Sequence, residues 1–188
     1  MGAILPPDAR VWYHIVVTTY GAWLRGDARG FRTRHHREHV VGDYKNPPPP
    51  SEFAELERLS RKLLVQQPVV LTPRWRPLVG RSLWQELTRS GAWLLAAAVA
   101  SQHAHLLVKL PRGRQRQLTG RAKRYATLLL HDRGWKGRLW AVRSKAVEIR
   151  DREHQLNTFR YIIRHAEEGA WLGVWKTEGV DEGPPAAP

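Results

Sequence analysis

The order of apolar and polar positions divides the chain into alternating strands and helices. Residues 11–20 are β-branched and aromatic, end in Thr18-Thr19-Tyr20, and predict a strand. A polar stretch over 21–50, rich in arginine and histidine, closes on four prolines, Pro47 to Pro50, which exclude helix there. Behind Ser51, a capping residue, Phe53, Leu56, Leu59, Leu63 and Leu64 recur at helical spacing and predict a helix over 52–67. A second helical pattern runs through Leu78, Leu83, Trp84 and Leu87 over 73–89 and stops at Gly91. Strands over 93–100 and 103–110 flank the polar break Ser101-Gln102, which suits a tight hairpin turn. A basic helix over 118–132, a strand over 139–149 and a last helix over 151–168 complete the series, with no internal repeat. Strand, helices, strand, strand, helix, strand is the split βαβ order of an α+β, ferredoxin-like antiparallel sheet. Helices are expected on one face, with the C-terminal helix appended and the 103–110 strand in the centre of the sheet.

Length and charge narrow the class. The 188 residues make one domain of ordinary size, expected over 11–177, between loose residues 1–10 and a Pro/Gly-rich tail over 178–188. Lysine and arginine number 31 against 17 acids, a net charge of +14. A protein this basic meets a polyanion, most commonly nucleic acid. Between Lys109 and Arg150 stand thirteen Lys/Arg and two acids, Asp132 and Glu148, interleaved with Tyr125, Trp135 and Trp140. That mixture suits phosphates that are neutralised and bases that stack. The absence of cysteine excludes disulfides, thiolate metal sites and cysteine nucleophiles. No apolar run has the length of a membrane span, and the first residues lack the pattern of a signal peptide, so a soluble, cytoplasmic protein without a membrane partner is expected.

The chemistry concentrates in two places. His103-Ala104-His105 lies in an otherwise apolar strand, where side chains i and i+2 share a face, so the two imidazoles project together as half of a metal site. In the last helix, Leu156, Phe159, Ile162, Ile163 and Ala166 share one face, and His154, Thr158, Tyr161 and His165 the opposite one. Packing by the apolar face would leave Tyr161 and His165, one turn apart, projecting together away from the helix's own core contacts. Three histidines and one tyrosine make a divalent cation and an oxygen nucleophile a coherent pair.

His-Ala-His-Leu-Leu-Val resembles the His-hydrophobic-His motif of the single-tyrosine transposases of the IS200/IS605 type, with the REP-associated tyrosine transposases as the nearest branch. Gly120-Arg121-Ala122-Lys123-Arg124-Tyr125-Ala126, Gly137-Arg138-Leu139-Trp140 and Phe159-Arg160-Tyr161-Ile162-Ile163-Arg164-His165 add to the resemblance, which spans roughly 12–171 in order and spacing. It implies Tyr161 as nucleophile, with His103, His105 and His165 on a divalent metal ion. The ion would be magnesium or manganese, or zinc if His165 is a ligand. It also implies cleavage and strand transfer on single-stranded, hairpin-bearing DNA through a 5′-phosphotyrosine, by a monomer or homodimer. The chain departs from the family where His165 stands in place of an asparagine, glutamine or acid, and where Ala166 replaces the proline of an Asn-Pro pair. Three imidazoles suit a transition metal better than magnesium, which prefers oxygen.

Tyr125, beside Lys123 and Arg124 on the basic helix, is the competing nucleophile on electrostatics alone, although without a ligand partner at i+4 it is better suited to base or phosphate contact. DNA contacts are expected from Lys109, Arg112, Arg114 and Arg116, which follow the histidine strand, and from Arg121, Lys123, Arg124, Tyr125, Arg138, Arg143 and Lys145. Within the cluster Arg32 to Arg37, Arg34 and His36 are expected in a phosphate-contacting loop rather than a metal site. Two further readings stay open at this point: a hairpin DNA or RNA-binding module that does not cut, and a metal-dependent nuclease in which water replaces tyrosine.

Overall fold

The computed structural model describes residues 9–27 and 52–175; Arg34, His36, Ser51, the proline run and both ends of the chain lie outside the described residues. Its elements are β1 (Arg10–Thr19), α1 (Ala54–Lys62), α2 (Arg76–Arg89), β2 (Trp93–Val99), β3 (His103–Pro111), α3 (Gln115–His131), β4 (Trp140–Glu148), α4 (Arg152–Arg164) and β5 (Trp171–Val174). The strands form one antiparallel sheet in the order β4-β1-β3-β2-β5. The first four follow the expected ferredoxin-like order, and β3 is central. The β2–β3 hairpin turns at Ser101-Gln102, closed by the Ala100 N–H donating to the His103 carbonyl at 2.9 Å.

Strict alternation along β1 and β3 separates two unequal faces. Tyr13, Ile15 and Val17 of β1 and Ala104, Leu106, Val108 and Leu110 of β3 point to one side, where they meet Val79, Leu83 and Leu87 of α2 and Leu118, Ala122, Ala126 and Leu130 of α3. These side chains form the main core and are almost completely buried. The other side carries the histidines and is crossed by α4 alone of the described helices that pack on the sheet. There a small cluster forms from Ala96 and Ala98 of β2, Leu107 of β3 and Ile162 of α4. Two alanines on β2 leave space for the helix to approach. Complete burial of Ile162 holds it there, worth about 2 kcal/mol.

Helices α2 and α3 cover one face of the sheet, as expected, and the appended α4 lies on the other. Two expectations change. The helix expected over 52–67 is shorter, and its apolar positions are not core. Leu59 and Leu63 are exposed, and α1 has no buried residue. The chain also adds β5, four residues long, whose brevity and internal Gly173 hide it from a pattern search. β5 seats Trp171 against Gly80 of α2, where a side chain on residue 80 would collide with the indole.

Candidate metal and tyrosine site

The site lies on the α4 side of the sheet, at the hairpin end of β3. His103 and His105 share that face, as the i and i+2 spacing requires, with ring centroids 4.7 Å apart. α4 brings the third imidazole. The Asp151 side chain caps the helix by accepting from the His154 N–H at 2.7 Å. The buried stripe of α4 is Gln155, Thr158, Ile162 and His165, while Leu156 is partly exposed. The helix is therefore rotated by roughly a quarter turn from the orientation its apolar residues favour. This corrects the expectation that His165 points away from the core contacts: it is buried, 8% exposed, and stacks on His105 at 4.7 Å with 10° between the ring planes. The His103 and His165 rings are 5.5 Å apart.

His103, His105 and His165 each offer a ring nitrogen, and these nitrogens lie within 4.8 Å of one another. His105 is neutral, its pKa pushed down to about 2, first by burial and then by the neighbouring imidazoles of His103, His14 and His165. A neutral imidazole presents a lone pair, as a metal ligand requires. The orientation of His165 is fixed from behind. Its Nδ1 is 3.1 Å from a Glu168 carboxylate oxygen, which can only accept a hydrogen bond, so Nδ1 carries the hydrogen and Nε2 turns inward. That Nε2 is buried with no hydrogen-bond partner. A buried polar atom in this state is costly unless something occupies the space it faces, and a cation between three imidazoles fits it.

Glu168 reaches its place because the chain reverses after α4. The Ala170 N–H donates to the His165 carbonyl at 3.1 Å, and Gly169 has φ +73°, a conformation that favours glycine. Arg76 of α2 donates to the Gly169 carbonyl at 2.6 Å and anchors the turn.

Tyr161 completes the group from the same helix. Its ring is 4.9 Å from His165, 5.1 Å from His105 and 5.9 Å from His14, all edge-on, and the residue is 45% exposed. A tyrosine beside three imidazoles and open to solvent can meet a large substrate. The whole arrangement forms within a single chain.

Sequence reasoning missed His14 and Glu168. His14 Nε2 is 3.0 Å from His105 Nδ1. Its pKa falls to about 4, first by burial and then by Lys145, His154 and His165. Two signals were available: His14 stands in a strand with Val16, which pairs with His105, and Glu168 follows His165 by three residues.

The residues expected to contact DNA are dispersed. Lys145 on β4 pairs with Val16, which pairs with His105, so one row across the sheet joins the lysine to the site. Arg143, two positions earlier, is exposed. Lys109 lies at the far end of β3 on the same face, 5.4 Å above the Trp93 ring. Others are committed to the fold. Arg112 pairs with Glu148 at 2.5 Å and Arg121 with the buried Glu86 at 3.0 Å. Arg114 donates to Gln117 at 2.6 Å, and Lys123 to the Ala141 carbonyl at 2.6 Å. Arg138 stands 5.8 Å from the Tyr20 ring. Arg116 and Arg124 are exposed on α3. Tyr125 is also on α3, across the sheet from the histidines, with its hydroxyl on Gln85 at 3.2 Å and Arg89 over its ring.

Among the described residues no helix is long and apolar enough to cross a membrane. No family profile and no curated protein matches the chain. Among solved structures the chain is similar to a REP-associated tyrosine transposase bound to a REP hairpin. The two share 15% identity and a TM-score of 0.45, over 90% of this chain and 75% of that one.

Proposed function

We propose that the protein cleaves and rejoins single-stranded DNA through a covalent bond to Tyr161, at a metal centre held by His103, His105 and His165. The observation that carries this reading is the convergence of one partly exposed tyrosine on three imidazoles from two elements, with His165 Nε2 buried and unpartnered. The likeness of the tyrosine helix and the His-Ala-His strand to single-tyrosine transposases agrees with it, as does the charge of +14.

A divalent cation held by His103, His105 and His165 would supply charge neutralisation at the scissile phosphate. The protein does the rest. Glu168 holds the His165 ring with Nε2 inward. The hydrogen bond between His14 and His105 fixes which nitrogen of His105 is free; with Nδ1 as donor to His14, Nε2 carries the lone pair. Tyr161 Oη attacks phosphorus and loses its phenolic proton to solvent. The bond from phosphorus to the 3′ oxygen breaks, that oxygen takes a proton, and the 5′ phosphate remains on the tyrosine. One phosphoester replaces another, so a second 3′ hydroxyl can reverse the step without ATP. Imidazole donors favour zinc or manganese over magnesium.

The test is denaturing gel analysis with labelled hairpin-bearing single-stranded DNA and Mn²⁺. A band of protein on DNA that survives SDS, and is lost in both Tyr161→Phe and His103→Ala, is expected. Cleavage without the band, unchanged in Tyr161→Phe, would assign the reaction to water. Tight binding with no reaction would leave a binding module.

A further inference from the structure

The α4 side of the sheet is only half covered. α4 packs chiefly over β2 and β3 and reaches β1 only at its edge, where Tyr161 meets His14, so β1 and β4 lie beside it as a partly open strip. The burial of β1 records this directly. Tyr13, Ile15, Val17 and Thr19 are buried against the main core, whereas Trp12, His14, Val16 and Thr18, on the α4 side, are each only partly covered. On β4 the strip continues through Val147, which pairs with His14, and Lys145, which pairs with Val16; Val147 is 37% exposed and Lys145 is exposed. One wall is the side of α4 that carries His154 and Tyr161, whose ring approaches His14.

We infer that this strip is the track along which single-stranded DNA reaches Tyr161, with bases on Trp12, Val16 and Val147 and phosphates on Lys145. The inference rests on the function proposed above and names where its substrate lies. Three features of the strip select an unpaired nucleic acid strand. First, apolar and aromatic side chains alternate with a cation, and exposed base faces, which only an unpaired strand presents, match the apolar positions. Second, the acid on this part of β4, Glu148, pairs with Tyr13 on the opposite face and is bound by Arg112, so no described carboxylate of β1 or β4 faces the strand. Third, the strip is continuous with the site: Lys145, Val16 and His105 form one row, so a phosphate on Lys145 is two strands away from the imidazoles. From Trp12 to Thr18 the floor runs roughly 20 Å, enough for a short run of nucleotides. The exposed arginines of α3 lie on the other side of the sheet and are outside this path.

The experiment measures equilibrium binding of a fluorescent single-stranded hairpin-tailed oligonucleotide to Tyr161→Phe protein, so that cleavage does not intervene. Lys145→Glu and Val147→Asp are introduced one at a time, with Arg116→Glu and Arg124→Glu on α3 as controls that match the charge change of Lys145→Glu and exceed that of Val147→Asp. Tenfold or greater weakening is expected from Lys145→Glu and from Val147→Asp, and less than threefold from either control. Lys145→Gln should lower the slope of log Kd against log salt by about 0.7, the share of one phosphate contact on a single strand. The β4 positions are exposed, and unchanged thermal melting verifies that folding is intact. Weakening confined to the α3 variants would overturn the inference and place the strand on the other face. In a parallel assay the same substitutions are made with Tyr161 intact. A covalent adduct formed at full rate by Lys145→Glu would sink the track but leave the tyrosine chemistry standing. Binding along β4 with no adduct in any variant would sink the chemistry and leave the track. An RNA oligonucleotide bound tighter than its DNA counterpart would overturn the assignment to DNA.

Discussion

The two faces of the sheet are built from alternate residues of the same strands, and they obey different rules. Ala104 and Leu106 point into a sealed core, while His103 and His105, their immediate neighbours, point into a cluster of imidazoles. On the sealed face the inward side chains of β1 and β3 are nearly all apolar and inaccessible, with Thr19 a buried polar exception, and two helices cover it. On the other, one helix covers half the area and turns a partly polar stripe toward the strands. The sealed face carries stability and the half-open face carries the candidate site. A strand can serve both because its side chains alternate.

Substitutions at adjacent positions separate the two roles. His105→Leu should remove metal binding, with at least a hundredfold loss of Mn²⁺ or Zn²⁺ affinity by titration calorimetry, and abolish the covalent adduct. The melting temperature of the metal-free protein should hold or rise, because an apolar side chain replaces a buried imidazole that has to stay neutral. Leu106→Ala, one residue on, should cost about 3 kcal/mol by opening a cavity in a completely buried site. Its metal affinity, measured well below the melting temperature, should change little. The comparison breaks if His105→Leu destabilises as much as Leu106→Ala.

How much of this was legible depends on which rule governs each element. The main core was legible because period-two alternation and helical spacing both report apolar burial, and on that face burial decides everything. The central place of the 103–110 strand followed from the order of elements. His103 and His105 were legible for the opposite reason: two polar residues interrupt an apolar strand at the spacing of one face. The orientation of α4 was not. Its apolar residues specify one face, but Thr158 and His165 are buried instead of Leu156, because the contact with β2 and β3 is set by Ala96, Ala98 and Leu107 together with the imidazoles. Glu168 is hidden because it acts only through the turn at Gly169, and His14 because a lone histidine in a β-branched and aromatic strand shows no spacing that marks a ligand group. The basic block misled for a related reason. Charge density along the sequence does not say which cations are spent on Glu86, Glu148 or, like Lys123, on backbone carbonyls.

The next effect in size concerns the residue that orients a ligand without binding metal. Glu168→Gln keeps the shape but offers an amide that can face His165 with either end, and Glu168→Ala removes the acceptor. Metal affinity should fall roughly tenfold in the first and up to a hundredfold in the second. Both melting temperatures should remain close to that of the parent, since the Glu168 side chain is largely exposed. A merely structural role for Glu168 would show the reverse pattern, a lower melting temperature with unchanged affinity.

The smallest effect is a pH dependence confined to the half-open face. His14 and His105 have pKa values of about 4 and about 2 in the folded chain, both lowered from 6.5 chiefly by burial. Between pH 6.5 and about 4 the unfolded chain binds protons at these positions that the folded chain does not, so folding stability is complete above 6.5 and declines as the pH falls. The metal-free protein, kept so with chelator, should lose several degrees of melting temperature between pH 7 and pH 5. His14→Phe should lessen that loss, since it removes one of the two groups and with it one neighbour that depresses the other. Leu106→Ala should shift the whole curve downward and leave its slope unchanged, because His14 and His105 lie on the other face of the sheet. A Leu106→Ala curve steeper than that of the parent would mean that the two faces are coupled, and that opening the core lets water reach the imidazoles through the sheet.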